Sequence, residues 1–270
     1  MIKGLIDAHV HTKMCHHAIG ETYEYVESAI SKNLDEIGFS DHFPMFYIPK
    51  NIDTSSYCMS MDEVSKYLDN LKELQEKYTD IKIKIATEAD YIINKDQIIK
   101  KALDKFKFDY IIGSVHVIND WCIDDPKNLP KFDKIDILDI NKDYYFALKK
   151  AVESHIFNII GHFDLVKKFG FRPKDDISFL IDPVIELLKK NHVCIELNTA
   201  GDRKPVNEFY PSQNILEKCY ENDIQITLGS DAHKPDEIAW KFEDALKLLR
   251  NIGYTQIVKF ENKKLLYIDI

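Results

Sequence analysis

The sequence predicts an α/β fold in which parallel strands close into a barrel. Two observations carry this. Strand-like and helix-like stretches alternate seven times with no Pro- or Ser-rich linker between them, the pattern of one parallel α/β domain over residues 1–270. Nearly every strand-like run also ends in polar residues: His9/His11, Asp41/His42, Glu88/Asp90, His116, His162/Asp164, Glu196/Asn198 and Asp231/His233. Active sites of (β/α) barrels gather at the C-terminal strand ends.

Residues 4–10 are an apolar run ending in His9-Val10-His11, with His16-His17 close behind. On a strand, residues i and i+2 share a face, so Asp7, His9 and His11 align. Two adjacent imidazoles chelate one divalent metal, with an acid in reach to orient them. Residues 21–32 read as a helix, with Thr22 as its cap and Tyr25, Ala29 and Ile30 on one stripe. Residues 35–40 form a short strand ending in Ser40-Asp41-His42. The 43–60 loop, rich in aromatics such as Phe46, Tyr47 and Tyr57, has the length of a lid or binding loop.

A helix over 62–78 carries Val64, Leu68, Leu71 and Leu74 at helical spacing. Residues 81–87 alternate as a strand and lead into Glu88-Ala89-Asp90. A short helix over 96–106 and a buried strand over 110–115 lead to His116. After a loop with Trp121 come a helix over 141–155 and a strand over 158–161 that ends in His162-Phe163-Asp164. A helix near 177–190, a strand over 193–197 and a helix over 213–222 follow. The strand over 225–228 runs into Gly229-Ser230-Asp231-Ala232-His233. The last long helix is expected over 235–250, and 256–260 with 264–268 as a terminal strand or hairpin.

Composition narrows the function. No apolar run approaches the length of a bilayer span, and no charged-then-apolar leader opens the chain, so the expected place is the cytoplasm, with no membrane partner. The five cysteines are scattered and lack a CxxC pair, which argues against a disulfide scaffold or zinc ribbon. A net charge of −9 with only three arginines argues against a nucleic-acid partner. A small anionic substrate then needs a local positive site, which metals supply. The sequence carries no signal for an oligomeric state.

Six motifs in order along the chain resemble the PHP (polymerase and histidinol phosphatase) superfamily of metal-dependent phosphoesterases: HVHT at 9–12, SDH at 40–42, Glu-x-Asp at 88–90, GSVH at 113–116, GHFD at 161–164 and SDAH at 230–233. Within it the chain most resembles the stand-alone histidinol-phosphate phosphatases, through HTKMCHHA at 11–18, the aromatic loop, GHFDLVKKF at 161–169 and ELNTAGDRKP at 196–205. The resemblance implies a distorted (β/α)7 TIM-like barrel, the PHP fold, with two or three divalent ions (zinc, manganese or iron). Carried over position by position, one ion takes His9, His11, Glu88 and Asp231. A second takes Glu88 as a bridge, with His116 and His162. A third takes His17, His42 and His233. Many relatives have Gly before the Glu-x-Asp element where this chain has Thr87, a change expected to have little effect.

The implied activity is hydrolysis of L-histidinol phosphate to L-histidinol and phosphate in histidine biosynthesis. Clustered metals lower the pKa of a bound water and clamp phosphoryl oxygens, so direct in-line attack by metal-bound hydroxide is expected, without a phosphoenzyme. Arg172, Arg203 and Lys167 are candidates for holding the phosphate, Glu196 and Asp202 for pairing with the substrate amine, and the loop aromatics with Tyr91 and Trp121 for stacking on its ring. Asp41 or His233 serves as the acid for the leaving alkoxide. His155 and His192 read as ordinary helix-end or surface residues. The alternatives are another PHP phosphoesterase acting on nucleotides, sugar phosphates or phosphotyrosine, an amidohydrolase, and a non-catalytic metal-binding module.

Overall fold

A computed structural model describes residues 4–270. In chain order the strands are β1 (Ile6–Val10), β2 (Glu36–Phe39), β3 (Lys82–Ile85), β4 (Thr87–Asp90), β5 (Ile111–Ser114), β6 (Val117–Ile118), β7 (Trp121–Cys122), β8 (Ile159–Ile160), β9 (Cys194–Asn198), β10 (Ile226–Gly229), β11 (Gln256–Glu261) and β12 (Lys264–Asp269). The α-helices are α1 (Thr22–Ser31), α2 (Val64–Lys77), α3 (Asp96–Leu103), α4 (Leu129–Phe132), α5 (Ile137–Glu153), α6 (Ser178–Asn191), α7 (Gln213–Glu221) and α8 (Phe242–Ile252).

Two parallel sheets, β1-β2-β3 and β10-β9-β8-β5-β4, form the wall. They meet twice. Val10 bridges Ala232 in parallel, backed by His11 N–H to Ala232 O at 2.9 Å, and His42 bridges Glu88. The expected strand over 81–87 is therefore two short strands. Buried Ala86 still donates to Phe39 O at 2.8 Å, whereas Glu88 donates to Ser40 O at 3.0 Å, and by Glu88 the chain has passed into the second sheet. This change of sheet is the distortion of the ring, and it puts Glu88 at the seam.

The apolar core is continuous from the strands to the inner helix faces. On α1 the buried stripe is Tyr25, Val26 and Ala29, while Ile30 faces outward. Its cap is Glu21 rather than Thr22, in a reciprocal capping box with Glu24. Helix α5 starts earlier than expected because the Asp136 carboxylate accepts Leu138 N–H at 2.8 Å. The last helix starts later. Residues Pro235–Glu237 make only a 3-10 turn, and Ala239 and Lys241 take φ of 50° and 51°. Asp7 pins this segment by accepting Ala239 N–H at 2.9 Å.

The β11-β12 hairpin packs under the barrel, with Phe260 5.8 Å from Tyr110 and Lys259 paired to buried Glu36 at 3.0 Å. Gly38 on β2 is what admits Tyr110. A Cβ there would fall on the Tyr110 hydroxyl, which donates to Ala8 O at 2.7 Å. Among the described residues no helix is long and apolar enough to cross a membrane.

Candidate metal centre

The strand ends deliver the predicted side chains to one place. Strand β1 supplies His9, and the residue just past its end is His11; their Nε2 atoms lie 3.0 Å apart. The turn after it brings His17, with Nε2 2.8 Å from His233 Nε2 at the far end of the barrel sequence. Glu88 sits between these groups and is 1% exposed. Its Oε2 lies 2.8 Å from His42 Nδ1, 3.4 Å from His9 Nε2 and 3.6 Å from His11 Nε2. Its Oε1 lies 2.9 Å from His162 Nε2 and 3.8 Å from His116 Nε2. Asp231 Oδ1 is 3.3 Å from His11 Nε2. Three triads each bring ligand atoms within 4.8 Å of one another: His9–His11–Asp231, Glu88–His116–His162 and His17–His42–His233. His11–His42–Glu88 meets the same criterion and links them, and His11–Cys15–His233 meets it on the Cys15 side. Burial pushes the Cys15 thiol up, so it is protonated at neutral pH.

An outer layer turns these rings inward. Glu196 holds His9 Nδ1 at 2.9 Å, Asp90 holds His116 Nδ1 at 2.9 Å, and the carbonyls of Cys15 and Asp231 hold Nδ1 of His17 and His233 at 2.9 and 3.0 Å. A ring donating from Nδ1 keeps the Nε2 lone pair free for a cation.

The residues fit a metal. Opposed imidazole nitrogens at 2.8–3.0 Å repel unless a proton or a cation lies between them. His42 Nδ1 and Glu88 Oε2 are close but not aligned for a hydrogen bond, and neither has another partner. Burial, reinforced by neighbouring imidazoles, lowers His11 well below the usual range, His17 to about 4 and His233 to about 3. All three are therefore neutral, with lone pairs available at pH 7. Burial opposes ionisation of Glu88 and Asp231, but the adjacent histidines outweigh it and hold both carboxylates well below their ordinary values. His9 is the reverse case: burial lowers it, but Glu196, Glu88 and Asp231 raise it well above normal. Nitrogen and carboxylate donors of this kind suit zinc, manganese or iron.

Above the cluster lies a cavity of about 430 Å³ lined by His17, His42, His116, His162 and His233. Several expected partners do not face it. Asp41 is locked to Thr12, accepting its N–H at 2.8 Å and its hydroxyl at 2.6 Å, and burial lifts its pKa to about 7. It braces the HVHT turn and is not placed as an acid; Thr87 donates to its carbonyl at 2.8 Å. Arg203 is tied to the turn after β10, donating to Ser230 O and Asp231 O at 2.9 and 3.1 Å. Lys167 is spent on Asp164, Glu208 and Phe209 O at 2.7–2.9 Å, and Arg172 pairs outside with Glu208. Glu196 lies beneath His9, and Asp202 is held by Lys241 and Trp240. Tyr91 and Trp121 are packed elsewhere, against Phe157 and Phe132. His16 ties the turn to the long loop through Ser55 O at 2.6 Å. His155 and His192 end helices with φ of 54°.

The cavity instead presents Lys168, Lys204 and Lys234 as its basic groups and, besides Glu88 and Asp231, the acids Asp124, Asp125 and Glu237. From the long loop, Met45, Ile48, Ile52, Thr54 and Tyr57 form one wall. Sequence reading missed Lys168 and Lys204 because each adjoins the basic residue it favoured. Only the phase of the turns (Leu165–Lys167 and Thr199–Arg203) decides which neighbour faces inward.

A parallel barrel with buried imidazoles around a shared carboxylate at its mouth defines a metal-dependent enzyme of the (β/α)-barrel class. The model of the PHP domain matches residues 7–200, and the chain belongs to that family. A probable histidinol-phosphatase of Deinococcus radiodurans is 34% identical over 263 residues, covering 97% of this chain and 98% of that protein. The histidinol-phosphatase of Bacillus subtilis is 24% identical over 89% of this chain and 98% of its own length. The histidinol phosphate phosphatase of Lactococcus lactis, crystallised with zinc, L-histidinol and phosphate, superposes with a TM-score of 0.82 at 24% identity, covering 97% and 99% of the two chains.

Proposed function

We propose that this protein hydrolyses L-histidinol phosphate to L-histidinol and phosphate, a step of histidine biosynthesis, with three divalent ions at the barrel mouth. The observation that carries it is Glu88, a buried carboxylate within 3.8 Å of five imidazoles drawn from four strand ends. His9, His11, Glu88 and Asp231 would hold one ion, Glu88, His116 and His162 a second, and His17, His42 and His233 a third. When bound, the ions supply a water of lowered pKa and positive charge against the phosphoryl oxygens. The 34% identity to a probable histidinol-phosphatase along nearly the whole chain supports the substrate.

The chain's own groups do the rest. Lys204 faces the cavity and would neutralise charge on the phosphate; Lys168 also lines it but is paired to Asp124 at 3.0 Å. Asp124, Asp125 and Glu237 give the mouth the negative charge a cationic amine needs. Of the two leaving-group acids considered, Asp41 does not face the cavity, and His233, which does, is neutral and proposed as a metal ligand, so neither is placed to donate the proton. Met45, Ile48 and Ile52 give one wall of the cavity an apolar surface.

Turnover of a panel of phosphomonoesters by the metal-loaded protein tests the substrate. We expect kcat/KM for L-histidinol phosphate to exceed that for nucleotide, sugar-phosphate and phosphotyrosine esters by at least about a hundredfold, because buried charged groups reject ligands that leave them unpaired. Equal or better turnover of another ester would place the chain with a different phosphoesterase of the family.

A further inference from the structure

We infer that the Tyr210 hydroxyl is a substrate contact, donating a hydrogen bond to a phosphoryl oxygen of the ester in the mouth cavity. This rests on the reading of that cavity as a phosphomonoester site. Tyr210 lines the cavity, yet it is 1% exposed and its Oη has no hydrogen-bond partner. A phenol keeps its proton at neutral pH and must donate, and a buried donor without an acceptor costs stability.

The carboxylates near it make no hydrogen bond with it. Asp164 Oδ2 takes Lys167 and Ser212 N–H, while its Oδ1 is unpartnered and makes no hydrogen bond with the phenol. Asp124 takes Lys168 at 3.0 Å, and Asp231 takes Asn198 at 3.3 Å and faces His11. No acceptor of the protein is bonded to Tyr210 Oη, and a phosphate entering the cavity brings acceptors only.

The ring is firmly held. Its backbone exchanges hydrogen bonds with Asn198 at 2.7 and 2.9 Å. The Lys167 ammonium, bonded to Phe209 O, stands 5.4 Å from the ring centroid. Gly201 makes room beneath it, since a Cβ there would lie 3.0 and 3.1 Å from ring atoms Cε2 and Cζ. The ring meets His162 edge-on at 6.4 Å, beside the Glu88–His116–His162 group. Lys167, expected to touch phosphate itself, thus acts as a positioning residue for the tyrosine.

Tyr210→Phe in the metal-loaded protein tests this. The ring is kept and an unpartnered hydroxyl removed, so Tm stays level or rises. We expect kcat/KM to fall about ten- to hundredfold, the range of one hydrogen bond to a charged group, on both L-histidinol phosphate and p-nitrophenyl phosphate. Inhibition by inorganic phosphate weakens in parallel. Unchanged turnover in the variant overturns the inference, as does a loss confined to L-histidinol phosphate with phosphate inhibition intact, or a lowered Tm that accounts for the lost activity. A metal-loaded wild type inactive on both esters removes the phosphomonoester reading, and the inference with it.

Discussion

Glu88→Gln lowers phosphate release more than about a thousandfold and reduces the metal bound per chain. The magnitude follows from the position. Both carboxylate oxygens are in use, Oε2 toward His42, His9 and His11 and Oε1 toward His162 and His116. Glutamine keeps the shape but removes the charge, and it turns one acceptor into an NH2 donor facing imidazole lone pairs. Loss of one preorganised electrostatic group alone costs about a hundred- to a thousandfold in rate, and the proposed sharing of Glu88 between two ions would take the loss beyond that. Elemental analysis and turnover on the same preparation check it, with far-ultraviolet circular dichroism to establish folding. A variant with wild-type metal content and turnover would contradict the assignment of Glu88.

Gly38→Ala is expected to be the most damaging small change to stability. The new methyl group would occupy the place of the Tyr110 hydroxyl and lie 2.9 Å from its Cζ. Tyr110 is fully buried and cannot back away without losing its bond to Ala8 O at 2.7 Å. Overpacking and a stranded carbonyl together cost about 3 kcal/mol, which for a chain of this size lowers Tm by roughly 6–12 °C. Because Ala8 precedes His9, metal affinity falls as well. Adding Tyr110→Phe removes the clashing oxygen and recovers part of the lost Tm. Thermal melts of the two variants decide this, and a Gly38→Ala protein melting with the wild type would refute it.

The metal cluster was legible because its rule is local. His9 and His11 share a strand face, and the remaining donors close strands whose apolar runs are plain in the sequence. What lay beyond reading was tertiary. Nothing in 81–90 announces that the chain changes sheets at Ala86, because Ile83, Ile85 and Ala89 are apolar on either side of the break. The late start of α8 depends on Asp7, more than two hundred residues away, holding Ala239. Asp41 was a candidate acid for the leaving group, but its carboxylate turns to Thr12. Lys167 matched a basic position of the family's motif, yet Glu208 and Phe209 O, distant in sequence, capture its ammonium. Tyr210 carries no motif signal. Its unpartnered hydroxyl becomes evident only in the folded structure.

The central claim is metal-dependent hydrolysis of L-histidinol phosphate at this cluster. Its most direct test is phosphate release from that ester by the purified protein as isolated, after exhaustive chelation, and after return of zinc or manganese. We predict strong release, its loss on chelation with the fold retained, and recovery on adding metal. Full activity in chelated protein shown by elemental analysis to be metal-free would contradict the account.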